Sequence, residues 1–99
     1  MALQGGTKQQ SRQLVKEPKR YHVIMHNDDY TPMDFVVQVL LEVFNKKRDA
    51  AVMLMMTVHK GGKACVGTYS YDIAMTKIRT VTELARKEGY PFRLTAEEA

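Results

Sequence analysis

Two carboxylates and an amide stand side by side in Asn27-Asp28-Asp29, directly ahead of Tyr30-Thr31-Pro32-Met33. An ammonium group carries three N–H donors and needs three acceptors, which carboxylates, an amide carbonyl and an imidazole nitrogen can supply. His59 adds the imidazole, at the end of the methionine-rich stretch Met53 to Val58. Methionine is unbranched and polarizable, so Met25, Met33, Met53, Met55 and Met56 either fill irregular gaps in a core or line a surface that accepts several apolar shapes. Together these residues describe hydrogen-bonding groups at the mouth of an apolar pocket, suited to an amine that carries a large unbranched or aromatic side chain. Each also has a purely structural explanation. Asn and Asp form turns, and a histidine at a helix C-terminus is stabilised by the dipole. His22, His26, Asp28, Asp29 and His59 make an alternative zinc-hydrolase set, which no His-Glu-x-x-His or comparable spacing supports.

The elements that must position these groups follow from periodicity. Tyr21, Val23 and Met25 alternate with His22, Ile24 and His26, which predicts a strand over 20–26 with the first set facing inward. At the corner Thr31 is the expected helix N-cap, Pro32 the first helical residue and Asp34 the partner that closes a capping box. The helix predicted over 32–44 is apolar almost all round, from Phe35 to Phe44, and is expected to touch both the sheet and a second helix. Lys46-Lys47-Arg48 places cations where its C-terminal dipole favours them. A second helix, 49–60, ends at Gly61-Gly62, the left-handed cap. A strand over 63–69 carries a bulge signal at Gly67. Ser70 is the expected cap of a helix over 71–88 with the stripe Ile73, Ala74, Ile78, Val81, Leu84 and Ala85, ended by Gly89. Residues 91–95 read as a short edge strand, because Pro91 cannot donate to a ladder. The predicted fold is α+β, a single small domain of order β-α-α-β-α-β with a three-stranded antiparallel sheet packed against three helices.

The chain has 99 residues and a net charge of +4, and all of that excess lies in residues 1–20. Residues 1–19, rich in Gln, Gly, Ser and Lys, read as a flexible extension, and 20–97 as the folded core. The extension has no aromatic residue to stack on a base, so an RNA- or ribosome-associated role ranks low and no nucleic-acid partner is expected. The single cysteine, Cys65, cannot form an internal disulfide, as suits a cytosolic domain. With no signal-like or membrane-length apolar run, the expectation is a soluble, cytoplasmic monomer with no membrane partner and no cofactor.

At Asn27-Asp28-Asp29-Tyr30-Thr31-Pro32-Met33, Phe35-Val36, Leu54-Met55, Val58-His59, Gly62-Lys63-Ala64, Thr76-Lys77 and Pro91 the sequence closely resembles the ClpS family, the bacterial adaptors of the N-end rule pathway. The resemblance covers residues 20–97. It implies a protein that is not an enzyme, binds the free N-terminus of substrates beginning with Leu, Phe, Tyr or Trp, and hands them to the ClpA unfoldase for degradation by ClpAP. By the same resemblance Asn27, Asp29 and His59 receive the α-ammonium group, with Asp28 on the acidic rim. Met25, Thr31, Met33, Val36, Met55, Val58 and Phe92 match the side-chain pocket, and Met33 matches a gate against residues branched at Cβ. Asp72 and Lys77 match the unfoldase-docking face. Phe92 stands where an aliphatic residue is common in the family, which implies a shallower floor and, as the alternative, the same adaptor with a narrower N-terminal preference.

Overall fold

The computed structural model describes residues 18–99. Three strands, β1 (Arg20–His26), β2 (Lys63–Ser70) and β3 (Arg93–Glu98), alternate with three helices, α1 (Met33–Glu42), α2 (Arg48–Gly61) and α3 (Tyr71–Glu88), in the predicted order β-α-α-β-α-β. The sheet is antiparallel with β1 in the middle, in the order β2-β1-β3. Val23 and Met25 are fully buried in the core with Val36, Val39 and Leu40 of α1, Met55 and Val58 of α2, and Ala74, Val81 and Ala85 of α3. Ile24, on the other face of β1, is buried as well. Its cross-strand partners are Cys65 and Thr95. Its neighbours along the strand are tied down, His22 Nδ1 to the Thr68 hydroxyl and His26 Nε2 to the Thr95 hydroxyl, each at 2.8 Å.

The corner differs from the capping box that the sequence predicts. Pro32, not Thr31, occupies the N-cap, with no side-chain cap bond. Its carbonyl accepts the first helical bond, from the Val36 N–H at 3.2 Å. The Thr31 hydroxyl instead donates backward to Asp28, and Asp34 accepts from the adjacent Phe35 N–H. α1 ends at Glu42, two residues early, and the chain leaves through Asn45 at φ 56°. The cation at this helix end is not in the Lys46–Arg48 run. Lys77 of α3 donates to the Val43 carbonyl at 2.6 Å, its Nζ lying 5.7 Å from the Phe44 ring centroid and 5.2 Å from that of Tyr69.

Gly62 and Gly89 end α2 and α3 in the left-handed conformation, at φ 92° and 81°. Ser70 holds the N-cap position of α3, but its side chain makes no cap bond. The β2 bulge falls one residue before its expected place. Val23 pairs with Gly67 and Ile24 with Cys65, so Val66 is the extra residue, and it is buried. The α3 stripe is narrower than predicted. Ala74, Val81 and Ala85 are buried, whereas Ile73 and Leu84, each one position before a buried alanine, turn away and are exposed. β3 lies at the edge as expected, but it starts after Pro91 and runs on to Glu98.

Candidate functional site

β1 delivers the chain to the corner, where the Asn27 N–H donates to the Gly62 carbonyl at 2.8 Å. That bond clamps the end of the first strand to the end of α2, the turn that carries His59. Asp28 then organises the loop. The Tyr30 and Thr31 N–H groups donate to its Oδ1 at 2.8 and 2.7 Å, and the Thr31 hydroxyl donates to its Oδ2 at 2.8 Å. Partial burial pushes the Asp28 carboxyl up, and the bonds from the Thr31 backbone, the Thr31 hydroxyl and the Tyr30 backbone outweigh it, leaving the group below its ordinary value. With most of its acceptor capacity engaged in the loop, Asp28 fixes the geometry of its neighbours more than it faces a ligand. Asn27, Asp29 and His59 are exposed beside it.

Behind this corner lies a cavity of about 350 Å³. Asn27, Asp28, Asp29 and His59 form its polar side, and Val36, Met55, Val58 and Phe92 its apolar side, with Thr31 and Met33 also on the wall. Phe92 is buried and set edge-on to Phe35, centroids 6.0 Å apart at 81°, and Phe35 is in turn edge-on to Tyr90 at 5.0 Å. Met33 on the wall is 44 % exposed. One predicted lining residue is missing: Met25 is fully buried in the core and is not on the cavity wall, because the inward face of its strand is covered by packing that includes α3. Two others line it without having been singled out, Tyr30 and Pro32. Only their place within the corner motif pointed to them.

The alternative metal set is not brought together. His22 and His26 lie on the outer sheet face, bonded to Thr68 and Thr95, and among the described residues no group of three His, Cys, Asp or Glu could hold a metal ion. Burial, then Arg93 and Lys63, hold the His26 pKa below its ordinary value against a smaller opposite pull from Glu97. On α3, Asp72 is exposed and Lys77 is half-buried against Val43, five positions along and so roughly 140° around the helix. Residues 1–17 of the expected extension lie outside the described residues, and Lys19 meets Glu98 at 3.6 Å. Among the described residues no helix is long and apolar enough to cross a membrane.

Comparison with known proteins places the chain in a family. The family profile of the ATP-dependent Clp protease adaptor protein ClpS matches residues 16–95. The adapter protein ClpS of Clostridium acetobutylicum is 52% identical over 84 residues, covering 85% of this chain and 83% of that protein. The Ralstonia pickettii adapter is 44% identical over 95 residues, covering 96% of this chain and 88% of its own. Among solved structures, Agrobacterium tumefaciens ClpS2 bound to L-phenylalaninamide superposes with a TM-score of 0.81 at 42% identity, covering 84% of this chain and 100% of that one. The chain belongs to the ClpS family of ATP-dependent Clp protease adaptors, proteins that are not themselves enzymes.

Proposed function

We propose that this adaptor binds the free N-terminal residue of proteins beginning with Leu, Phe, Tyr or Trp and delivers them to the ClpA unfoldase for degradation by ClpAP. The observation that carries the proposal is the pairing of exposed acceptors, Asn27, Asp29 and His59, with an apolar cavity of about 350 Å³ behind them. A protonated α-amine would donate to those three groups while its side chain enters between Val36, Met55, Val58 and Phe92. Burying a Leu or Phe side chain contributes about 1.5–3 kcal/mol before ordering costs. Each charge-assisted bond adds about 1.5–3 kcal/mol that an acetylated or internal nitrogen cannot make. The site would therefore read chain termini. The Agrobacterium relative was solved with L-phenylalaninamide, a ligand that has a free α-amine and an aromatic side chain.

Met33, on the cavity wall and partly exposed, would act as the gate that disfavours a branch at Cβ. Asp72 and Lys77 would contribute to unfoldase docking, Asp72 by direct contact and Lys77 from its place over Phe44 and Tyr69. The protein would work as a cytoplasmic monomer. A narrower preference within the four residues has one observation in its favour, the bulk of Phe92 braced by Phe35 at the cavity wall. The test is fluorescence anisotropy of two labelled peptides that begin with Phe, one free and one N-acetylated, titrated with the wild type and Asp29→Ala. Saturable binding of the free peptide alone, lost in the variant, is expected. Equal binding of both peptides would overturn the proposal.

A further inference from the structure

A second surface lies along α3. Met75, Ile78, Arg79, Thr82, Glu83 and Arg86 recur at helical spacing on one flank and line a depression of about 410 Å³. A neighbouring hollow of about 380 Å³ shares Thr82 and Arg86 and continues over the segment from Tyr90 to Leu94. The helical part spans about 16 Å at the usual rise, roughly three turns. Its apolar contacts come from Met75, Ile78, Pro91 and Leu94, and three guanidinium groups, Arg79, Arg86 and Arg93, stand around them against the single carboxylate of Glu83. The only salt bridge among the described residues is Lys19–Glu98, so none of the three arginines is paired with a carboxylate of the described residues.

We propose that this groove docks an acidic amphipathic helix of a partner protein, with apolar anchors against Met75, Ile78 and Pro91 and carboxylates against Arg79, Arg86 and Arg93. The excess of guanidinium groups sets the sign of the partner. Residues 1–17 of this chain are excluded as the occupant by the same argument, since they carry Lys8, Arg12 and Lys16 against Glu17 alone. An added strand on β3 is disfavoured because that edge ends in Glu97 and Glu98, which would repel an acidic strand. A helix laid along the flank presents anchors at the spacing that the groove follows. Phe92 is the only lining residue that the groove shares with the cavity at the corner. The two surfaces can therefore be probed separately.

The experiment uses the full-length protein, isotopically labelled for amide NMR, and an N-acetylated peptide with leucines at alternating three- and four-residue spacing among aspartates and glutamates. Acetylation removes the amine that the corner would read. Shifts confined to amides near Met75, Ile78, Thr82, Arg86 and Leu94 are expected, with affinity that weakens as salt rises and falls about fivefold in Arg79→Gln/Arg86→Gln. Both arginines are exposed, and an otherwise unchanged spectrum of the variant shows that it is folded. Four results would overturn the proposal: no shifts in the groove, equal binding of a lysine-for-acid version of the peptide, shifts centred on Asn27 to Met33 and His59, or groove shifts that track protein concentration without peptide, which would make a second copy the occupant.

Discussion

Replacing Asp28 by alanine separates the architecture of the corner from its ligand chemistry. The side chain accepts three hydrogen bonds inside the loop, two from N–H groups and one from the Thr31 hydroxyl. It thus does the work of a cap for a turn whose helix has no side-chain cap of its own. Loss of such a cap costs about 1–2 kcal/mol, and a domain of this size loses roughly 4–8 °C of Tm per kcal/mol. The donors are partly solvated, so water makes good part of the loss and the lower half of that range is expected. Asn at this position keeps an acceptor for the two N–H groups and should recover most of the stability. The pH dependence has a definite sign. The folded carboxyl lies below its ordinary value, so its contribution is present above the usual carboxylate range and is lost as pH falls through the folded pKa. The stability gap between wild type and Asp28→Ala should therefore narrow below about pH 4. Thermal melts followed by circular dichroism, paired with anisotropy of a peptide that begins with Phe, make the comparison. An unchanged Tm with abolished binding would refute the reasoning and make Asp28 a direct ligand group.

Other consequences follow from single contacts. Met33→Ala should admit peptides beginning with Val or Ile while keeping Phe, read by anisotropy across a panel of first residues; continued exclusion would clear Met33 of gating. Lys77→Met removes the bond to the Val43 carbonyl and the charge over Phe44 and Tyr69, and should destabilise the fold by about 1–2 kcal/mol in urea denaturation. Unchanged stability would leave Lys77 to partner contact alone. The folded His26 pKa is lowered, chiefly by burial and then by Arg93 and Lys63, so the unfolded chain binds more protons below about pH 6.5. Stability should rise as pH climbs through the window between the folded value and 6.5, and His26→Gln should flatten that rise in urea denaturation between pH 5 and 7.

The fold was legible where local pattern and tertiary packing agree. The alternation of Tyr21 to His26 gave β1, and Gly62 and Gly89 marked two helix ends because only a left-handed residue closes them there. The corner motif lies along the cavity together with His59, whereas Val36, Met55, Val58 and Phe92 lie outside that motif and are assigned to the wall only through the family resemblance. The failures have common causes. Thr31 reads as a cap by its type, yet a carboxylate three residues upstream takes its hydroxyl and its N–H. The partner of the α1 C-terminus is Lys77, thirty-four residues beyond Val43, which no local pattern can reveal. Glu97 and Glu98 look unlike strand residues, but pairing with His22 and Tyr21 holds them in β3. Met25 belongs to the core because the inward face of a central strand is covered from above, whatever its side chain could offer a ligand.

The central claim is that an α-ammonium group is read at Asn27, Asp29 and His59, and the most direct measurement uses the smallest pair of ligands that differ only there. Calorimetric titration with L-phenylalaninamide and with its N-acetyl derivative removes every downstream contact. Saturable heat with the free amine and none with the acetylated compound is the predicted result. Equal heats from the two, or none from either, would contradict the account.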